Sequence, residues 1–371
     1  MKNKPLGLGI IGCGNVLSAY RKTIDELQLA GRLRTIIACG RENQMSAARA
    51  ELGCAFVTDF KKVLASSDVD IVLILTGANE HAMLSEEALQ ARKHVLVEKP
   101  FATSLTEAAS LIELAKKVSR HLFAAPFTVL SPTFNIISSR IRAGDIGKPA
   151  LARARYGWSG PWWSEWFYKP GGGALIDLGI YSITSLTGLF GPAKSVTAMT
   201  GVAIPKRRVH GKTISVQAED NAQVLIEFAG GLFASVMTGF TIQQYRSPAL
   251  EVYGTKGVIQ MLGDDWDPDG YELWQNHMGA WQLFKETQPD WAWTAGLTHL
   301  VECIEKRSKP RVTLEHAYHV LEIISAARES ALKGSRLKIK STFPRLKAEL
   351  PSQIEAAHLV HDRTRSHKKT H

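Results

Sequence analysis

The sequence predicts an α/β protein in which a parallel, doubly wound sheet comes first and an α+β domain with mostly antiparallel strands follows. From residue 7 to about residue 125, short β-branched runs alternate with longer helical stretches, which is the pattern of βαβ units. After Pro126 this alternation stops, and strand-like runs follow one another between turn signals. A chain of 371 residues is long enough for two such domains.

The first half is predicted to contain five strands with helices between them. The strands are short and rich in Val, Ile and Leu, as is typical of strands buried on both faces. The predicted strands cover residues 8–11, 35–38, 71–75, 95–97 and 122–125. The predicted helices cover residues 18–29, 44–52, 82–91 and 105–118.

The second half has a different texture. It begins with a predicted helix at residues 133–143 and closes with another near residues 314–332. All nine tryptophans of the chain lie in this half. The strand-like runs between the two helices cover residues 150–156, 195–200, 222–228, 233–239 and 250–252. Glycine-containing turns separate several of them, which favours antiparallel pairing.

Composition and cysteine usage exclude several classes of protein. With 45% hydrophobic and 22% charged residues, the composition is that of a soluble globular chain. No apolar run approaches the roughly 20 residues that a membrane-spanning helix needs, and residues 6–11 are expected to form a strand and not a signal peptide. Cys13, Cys39, Cys54 and Cys303 have neither metal-site spacing nor the density of a disulfide scaffold. We therefore expect a cytoplasmic protein without a metal site and without a membrane partner.

Most of the net charge of +10 lies at the carboxyl terminus. Residues 333–371 contain ten Lys or Arg and three Asp or Glu, and so carry seven of the ten charges. Residues 344–371 contain no aromatic side chain that could stack on bases, so we expect a disordered, solubilising tail and no nucleic-acid partner. Contact with an acidic surface is the alternative. The predicted domains are then residues 1–125 and 126–343, followed by this tail.

The first predicted strand leads into a glycine loop, residues 12–17, ahead of a predicted helix. Gly12 permits a tight turn, and Gly14 lets a pyrophosphate approach the backbone near the N–H groups that begin the helix. Leu17 stands where the usual third glycine or alanine of such a loop stands, so the packing of the helix must differ locally. In this βα context the loop predicts dinucleotide binding, with a plain turn as the alternative.

The end of the second predicted strand indicates which dinucleotide is bound. An acidic residue there would hold the ribose hydroxyls of NAD, but this chain has Gly40 followed by Arg41. A guanidinium can bind a 2′-phosphate and stack on adenine. NADP is therefore preferred and NAD remains an alternative, as does a simply solvated Arg41.

Lys99 follows the predicted strand 95–97 and precedes Pro100, which stops that strand. Ligands bind at the carboxyl edge of open parallel sheets, so a lysine held there is a candidate for contact with substrate. The alternative is an ordinary solvated lysine at a strand end.

A second candidate lies in the glycine-rich segment 171–181. Asp177 and Tyr181 are four residues apart on a predicted helix and would share one face. A carboxylate and a phenol that project together can handle a proton. The alternative is a core helix in which Asp177 caps the backbone and Tyr181 packs.

These segments, in this order and spacing, resemble the glucose-fructose oxidoreductase / inositol dehydrogenase / rhizopine catabolism (Gfo/Idh/MocA) family. The resemblance is carried by residues 12–17, 76–81, 98–100 and 171–181, and continues through 219–221, 251–257 and 326–330. It covers about residues 6–340. It implies an amino-terminal Rossmann domain and a second domain whose large open sheet forms an oligomer interface, hence a homodimer or homotetramer.

The resemblance also implies NAD(P)-dependent oxidation or reduction of a sugar, a polyol or a relative of these. It implies that Lys99 contacts substrate and the nicotinamide ribose, that Asp177 binds substrate, and that Tyr181 stands at the acid-base position. His81 is expected to shape the nicotinamide pocket and not to bind metal. Together with Gly40 and Arg41, the expected cofactor contacts are Gly12, Gly14, Asn15, Val16, Thr76, Asn79, His81, Glu98 and Lys99.

The chain departs from the family pattern at the acid-base position. Most members carry histidine where this chain has Tyr181, and often aspartate where it has Thr184. The glucose-fructose oxidoreductase and dihydrodiol dehydrogenase branches are similar to this chain in using tyrosine. A free phenol has a pKa of about 10 against about 6.5 for histidine, so Tyr181 suits proton donation during carbonyl reduction. The ammonium of Lys99 is expected to stabilise the phenolate.

An aromatic run at residues 158–168 precedes the glycine-rich segment. Trp162 and Trp163 could stack on the apolar face of a sugar ring, and closing a domain or dimer interface is the alternative.

The leading hypothesis is therefore an NADP-preferring oxidoreductase that acts on sugar-like substrates. Two further hypotheses stay open: a non-catalytic, dinucleotide-binding regulatory protein of the same fold, and an enzyme that retains its cofactor tightly through both half-reactions.

Overall fold

The computed structural model describes residues 4–286 and 288–347. Its first sheet has six strands: β1 (Leu6–Ile11), β2 (Leu33–Cys39), β3 (Ala55–Val57), β4 (Ile71–Ile74), β5 (His94–Val97) and β6 (Leu122–Ala124). Five helices accompany them: α1 (Leu17–Leu29), α2 (Met45–Leu52), α3 (Phe60–Ala65), α4 (Ala78–Gln90) and α5 (Leu105–Val118). The strand order is β3-β2-β1-β4-β5-β6 and every pair is parallel, which confirms the predicted doubly wound sheet.

The central strands are buried because helices cover both faces of the sheet. All four residues of β4 and the last three of β5 are buried, as their unbroken Val, Ile and Leu sequences predict. The strand order reverses direction between β1 and β4. In sheets of this kind, the crevice at the carboxyl ends of the strands next to such a reversal is where ligands bind.

The second sheet contains nine strands in the order β16-β15-β14-β13-β7-β12-β11-β8-β17, and the hairpin β9–β10 lies apart from it. Within the described residues β7 and β12 pair in parallel and the other pairs are antiparallel, which confirms a mostly antiparallel sheet. Its strands, with the hairpin, are β7 (Pro149–Gly157), β8 (Ala193–Gly201), β9 (Lys206–Val209), β10 (Lys212–Ser215), β11 (Asn221–Phe228), β12 (Phe233–Gly239), β13 (Leu250–Gly254), β14 (Gly257–Asp264), β15 (Asp267–Gln275), β16 (Trp281–Lys285) and β17 (Leu337–Lys338). The helices of this half are α6 (Pro132–Ala143), α7 (Ile180–Phe190), α8 (Gly296–Lys306) and α9 (Leu314–Lys333).

The sequence-based prediction misses several elements. Strand β3 has three residues, too few for a pattern. Strands β14 to β16 have polar residues on one face and are interrupted by Gly263 and Gly270, both with positive φ, so they lack a continuous β-branched run. Helix α8 is also missed, although the spacing of Leu297, Leu300 and Val301 is that of a buried helix face.

Helix α8 returns to the first sheet. Leu297 and Leu300 are buried in the same core as Leu8 and Ile10. The Arg32 guanidinium also binds the Glu305 carboxylate at 2.6 Å, which ties the start of β2 to the end of this helix. The domain boundaries at residues 125 and 343 stay predictions, and the predicted tail lies outside the described residues from 348 onward. Among the described residues, no helix combines the length and the apolar character needed to cross a membrane.

Candidate active site

Lys99 and Asp177 meet where the two sheets come together. Strand β5 ends at Val97, so Lys99 leaves the carboxyl edge of the first sheet. Its Nζ lies 2.5 Å from Asp177 Oδ1 and 2.9 Å from the backbone carbonyl oxygen of Asp177. The two side chains are only 16% and 10% exposed. Lys99 is therefore a paired and positioned ammonium, unlike a solvated lysine at a strand end.

Tyr181 lies beside this ion pair. The Lys99 Nζ is 5.4 Å from the centroid of the Tyr181 ring, and the ring of Tyr156 packs edge-on with the two centroids 5.5 Å apart. Within the described part of the chain the Tyr181 hydroxyl has no hydrogen-bond partner. We call Lys99, Asp177 and Tyr181 the reaction corner. The structure thus brings the three predicted catalytic residues together.

The pKa of Tyr181 departs from the expected direction. Burial raises the pKa of Tyr181 well above its ordinary value, and three carboxylates raise it further: Glu98, Asp177 and Asp265. The ammonium of Lys99 alone would lower it, but that ammonium is already paired with Asp177. The phenol is therefore held in its protonated form.

A π-helical turn carries Asp177. The segment Leu175–Gly179 forms this wider turn, and the regular helix α7 begins at Ile180. The sequence predicts a plain α-helix here, because a π turn has no sequence signature of its own. Such turns are rare and frequently lie at functional sites. Asp177 and Tyr181 both face Lys99, as the spacing of four residues predicts.

An ion pair between residues that are distant in sequence, Glu219 and Arg328, fixes the backbone before this turn. Gly173 has a φ of 102°, and a Cβ atom there would overlap the carboxylate of Glu219. Arg328 of α9 binds Glu219 Oε1 at 2.7 Å and also donates to the carbonyl oxygen of Gly172. Glu219 in turn accepts from the backbone N–H of Leu175 at 3.3 Å. The family motifs contain Glu219 and Arg328, but pattern alone does not show that they bind each other.

Glu98 links Lys99 to the first helix. The Tyr20 hydroxyl of α1 donates to Glu98 Oε1 at 2.7 Å, and the backbone N–H of Lys99 donates to Oε2 at 3.1 Å. Burial and the Glu98 carboxylate raise the pKa of Tyr20. Both oxygens of Glu98, a predicted cofactor contact, are therefore engaged within the protein. Tyr20, a fully buried side chain, is missed by sequence reasoning.

The glycine loop has the shape that a dinucleotide requires. Gly12 has a φ of 104°, and a Cβ there would lie 2.7 Å from the carbonyl carbon of Leu75. A Cβ on Gly14 would meet nothing within 4 Å, so the backbone there faces open space. Gly14, Asn15 and Val16 are exposed, and no side chain caps the first turn of α1. Free N–H groups at a helix start favour an anion such as pyrophosphate.

Thr76 follows the carboxyl end of β4, and His81 lies in the first turn of α4. Thr76 Oγ1 is buried without a hydrogen-bond partner in the described residues, which is consistent with a polar group that a ligand completes. His81 Nδ1 lies 2.8 Å from the Pro100 carbonyl oxygen, and Nε2 lies 3.0 Å from that of Thr76. Burial lowers the pKa of His81, although both carbonyl contacts raise it. His81 thus ties β4 to the residue after Lys99, while Asn79 is exposed on the same helix start.

No cluster of metal-ligating side chains is present among the residues that the structure describes.

Gly40 and Arg41 follow β2 at the outer end of the crevice. Gly40 is tightly surrounded, since a Cβ there would lie 2.9 Å from Gln44 Oε1. That oxygen accepts from the Arg41 backbone N–H at 2.9 Å, while Gln44 Nε2 donates to the Cys13 carbonyl oxygen at 2.8 Å. Arg41 is exposed, and its guanidinium forms no ion pair within residues 4–286 and 288–347.

The tryptophan run forms a separate cluster. Trp163 stacks on Trp158 with centroids 5.4 Å apart and meets Trp162 edge-on at 5.9 Å. Trp162 is 65% exposed. In the described part of the chain, no ring contact or hydrogen bond joins Trp162 or Trp163 to the reaction corner. The structure therefore shows no direct contact between these two residues and Lys99, although Trp158, on which Trp163 stacks, lines a cleft together with Tyr156.

A different set of aromatic residues adjoins the reaction corner. Tyr156, which packs on Tyr181, also lies 6.2 Å from Trp266 between ring centroids. Both line an open cleft of about 310 Å³ together with Trp158, Gln243, Gln244, Tyr245 and Asp264. Sequence reasoning misses this cleft because its residues come from three distant segments of the second sheet.

Two family models match this chain. Residues 6–125 match the model of an oxidoreductase family with an NAD-binding Rossmann fold, and residues 134–260 match that of the GFO/IDH/MocA C-terminal domain. The first match contains the glycine loop and Lys99. The second contains Asp177 and Tyr181, so the two matches together span both sides of the reaction corner.

Individual proteins give the same result. The chain is 27% identical over 262 residues to dTDP-3,4-didehydro-2,6-dideoxy-alpha-D-glucose 3-reductase of Saccharopolyspora spinosa, covering 69% of this chain and 74% of that protein. It is 24% identical over 282 residues to trans-1,2-dihydrobenzene-1,2-diol dehydrogenase of Sus scrofa, covering 73% and 80%. The structure of levoglucosan dehydrogenase in complex with NADH and levoglucosan superimposes with a TM-score of 0.82 at 20% identity, over 91% of this chain and 100% of that one. At that identity the likeness establishes the fold.

Proposed function

The chain belongs to the Gfo/Idh/MocA family of NAD(P)-dependent oxidoreductases, and we propose that it interconverts a hydroxyl and a carbonyl group on a sugar, a polyol or a related compound. The observation that carries this proposal is the reaction corner at the carboxyl edge of β5. An ammonium, a carboxylate and a phenol meet there beside a crevice that suits a dinucleotide.

The residues along this edge would hold the cofactor in extended form. Gly14, Asn15 and Val16 offer backbone N–H groups to the pyrophosphate, and Gly12 keeps the turn tight. At the other end, the nicotinamide half would lie near Thr76, Asn79, His81, Glu98 and Lys99. When bound, the nicotinamide supplies or accepts the hydride.

Tyr181 is the proposed proton donor for carbonyl reduction. Its hydroxyl is not engaged by the described residues, and its raised pKa keeps the proton in place at neutral pH. As the proton leaves, the Lys99 ammonium, 5.4 Å from the ring centroid, stabilises the phenolate that forms.

Lys99 would also orient the substrate. An ammonium has three N–H donors, and two of those on Lys99 are directed at the carboxylate and the carbonyl oxygen of Asp177. One donor is left for the reacting oxygen of the substrate. Asp177 keeps a second carboxylate oxygen, Oδ2, with which it can accept a hydrogen bond from a neighbouring substrate hydroxyl.

The relatives support a substrate of the sugar or diol type. One is named as a reductase of a didehydro-dideoxy-glucose nucleotide, and another as a dehydrogenase of a dihydrobenzene diol. Rings of this size can stack on Tyr156 or Trp266 in the adjoining cleft. Stacking on Trp162 and Trp163, expected from the sequence, stays a prediction.

The proposed cofactor is NADP, with NAD as the alternative. The support is the exposed, unpaired guanidinium of Arg41 and the absence of an acidic residue in 38–41 at the end of β2.

We further propose a homodimer or homotetramer assembled through the second sheet. Several large apolar side chains are exposed on its outer face: Leu151, Met199, Leu225, Phe233 and Met237. They come from four adjacent strands, so the patch is continuous. A cytoplasmic location and the absence of a nucleic-acid partner stay predictions from the sequence.

The test is a reduction assay with purified protein. We expect loss of nicotinamide absorbance when NADPH is combined with one or more members of a panel of aldoses, ketosugars and dicarbonyl compounds. If NADPH binds in equilibrium measurements while no member of the panel is turned over, the catalytic proposal fails and the regulatory alternative is favoured. Cofactor that survives gel filtration would indicate tight retention through both half-reactions.

A further inference from the structure

A buried carboxylic acid lies behind the reaction corner. Asp264 ends β14, Asp265 and Trp266 form the turn that joins β14 to β15, and Asp267 begins β15. Asp267 is exposed and Asp264 partly so, whereas Asp265 is only 4% exposed. Acidic side chains are common in turns because water solvates them there. Burying a carboxylic acid without a cationic partner destabilises the folded state. The turn alone therefore does not explain why Asp265 is buried.

The partners of Asp265 are neutral. Ser185 Oγ donates to Asp265 Oδ2 at 3.0 Å, and the same Ser185 Oγ lies 3.1 Å from Thr128 Oγ1. Across the described residues, Oδ1 has no hydrogen-bond partner and the carboxyl group forms no ion pair. Burial raises the pKa of Asp265 to about 7, with a further raising effect from the Asp264 carboxylate and lowering effects from the Ser185 hydrogen bond and the backbone N–H groups of Asp265 and Trp266. Asp265 therefore changes charge near neutral pH.

Helix α7 connects this acid to the proton donor. Ser185 lies one helical turn beyond Tyr181, and Asp177 lies four residues before Tyr181, so the three side chains follow one side of the helix. Lys99 contacts this row at Asp177, and Asp265 contacts it at Ser185. Tyr181 is thus placed between a cation and an acid. The negative charge of Asp265 raises the pKa of Tyr181, which is the opposite of what an ammonium does.

We infer that Asp265 is a positioning residue for the proton step, and that its charge sets how readily Tyr181 gives up its proton. The inference rests on the proposed function, since it takes Tyr181 as the proton donor. The groups that face Tyr181 are Glu98, Lys99, Asp177, Tyr156, Tyr20 and Asp265. Those that face Asp265 are Ser185, Asp264, Tyr156, Tyr181 and Tyr245.

The other carboxylates near Tyr181 are held by partners of their own. Glu98 accepts from Tyr20 at 2.7 Å, and Asp177 binds Lys99 at 2.5 Å. Asp264 accepts from the Tyr245 hydroxyl at 2.5 Å. Asp265 differs from them because its Oδ1 has no hydrogen-bond partner among the described residues and its charge changes near pH 7.

The direction of the effect follows from charge. As the pH falls below about 7, Asp265 takes up a proton and its effect on the phenol is lost. Above pH 7 its anion makes the phenolate less favourable, so proton donation and carbonyl reduction slow down by about three- to tenfold. Asp265→Asn removes the charge, and the rate should then stay high as the pH rises. Ser185→Ala removes a hydrogen bond that stabilises the anion, so the decline should move to higher pH.

The primary experiment needs no turnover. A fluorinated tyrosine is incorporated at position 181 of the full chain, and its fluorine resonance is followed from acidic to mildly basic pH. We expect a step centred near pH 7 that reports the charge of Asp265. The step should vanish in Asp265→Asn and move upward in Ser185→Ala. Asp267→Asn, which removes an exposed acid of the same turn, is the matched control and should leave the step in place.

The pH profile of carbonyl reduction is the second measurement. A merely structural role for Asp265 predicts that Asp265→Asn loses rate equally at every pH, with no change in the shape of the profile. A fluorine step that persists in Asp265→Asn, or no step in the unsubstituted chain, overturns the inference. If no substrate is turned over at all, the proposed function fails while the fluorine titration still decides whether Asp265 acts on Tyr181.

Discussion

The glycine loop and the reaction corner lie at the same edge of the first sheet, but the polar groups of the loop are exposed and those of the corner are buried. In the loop, Gly14, Asn15 and Val16 are exposed and the first turn of α1 has no side-chain cap. In the corner, Lys99 and Asp177 are largely buried and bind each other directly. The backbone N–H groups of the loop are solvated when no ligand is bound, whereas the polar groups of the corner are already paired with each other.

The difference follows from desolvation. An exposed N–H group exchanges water for phosphate at little cost to folding, whereas a buried ammonium without a partner would destabilise the protein strongly. Substitutions in the loop should therefore change cofactor affinity and leave stability intact. Substitutions in the buried Lys99–Asp177 ion pair of the corner should affect both stability and turnover, whereas loss of the Tyr181 hydroxyl should affect turnover alone. The four predictions below test this division, from the largest expected effect to the smallest.

Lys99→Met should abolish turnover, with kcat lower by about 10³-fold or more, while NADPH affinity changes little. The substitution removes the ammonium that orients the substrate and stabilises the phenolate. It also leaves Asp177 buried without its partner, so the free energy of unfolding should fall by about 3–5 kcal/mol. Steady-state kinetics, equilibrium binding of NADPH and denaturant titration measure the three effects.

The double variant Lys99→Met/Asp177→Asn is the control for that prediction. It removes the unpaired charge, so stability should recover while turnover does not. Near-normal rates in Lys99→Met would show that Lys99 is a structural cation only.

Tyr181→Phe should lower kcat for reduction by about 10²- to 10⁴-fold, because the proton donor is lost. Stability should barely change, since no described residue binds the hydroxyl. Tyr253→Phe removes a hydroxyl that binds Glu251 on the second sheet and controls for the chemistry of the substitution. A Tyr181→Phe enzyme with full activity would rule out the phenol as the donor.

Alanine substitutions at two glycines of the loop should separate effects on stability from effects on cofactor binding. Gly14→Ala adds a Cβ that meets no protein atom, so the unfolding free energy should be unchanged while NADPH binds about tenfold more weakly or worse. Gly12→Ala forces a side chain onto a backbone with a φ of 104° and should cost about 1–3 kcal/mol of stability. If both variants lost stability equally, the loop would not be open in the way described.

The exposed and local features of this molecule are the ones that sequence predicts well. The glycine loop, the lysine after β5 and the spacing of Asp177 and Tyr181 follow from residue type and neighbours along the chain. The partners that hold these groups come from elsewhere: Tyr20 from α1, Arg328 from α9 and Asp265 from the β14–β15 turn. Their positions depend on tertiary packing, and their own segments carry no signal of it. For the same reason the sequence predicts the wrong direction for the pKa of Tyr181. Lys99 is expected to lower this pKa, but burial and the carboxylates of residues distant in sequence raise it.

Arg41→Ala should have the smallest effect, a rise of about tenfold in the KM for NADPH with the KM for NADH unchanged. The guanidinium is exposed and forms no ion pair within the described chain, so it is available to a 2′-phosphate and contributes nothing to folding. Because such a contact lies in water, salt should weaken it, and the preference for NADPH should narrow as ionic strength rises. Arg49→Ala, an exposed arginine on α2, should leave both KM values unchanged. If the unsubstituted chain preferred NADH, or if Arg41→Ala kept its preference for NADPH, the choice of cofactor would depend on other residues of the crevice and not on Arg41.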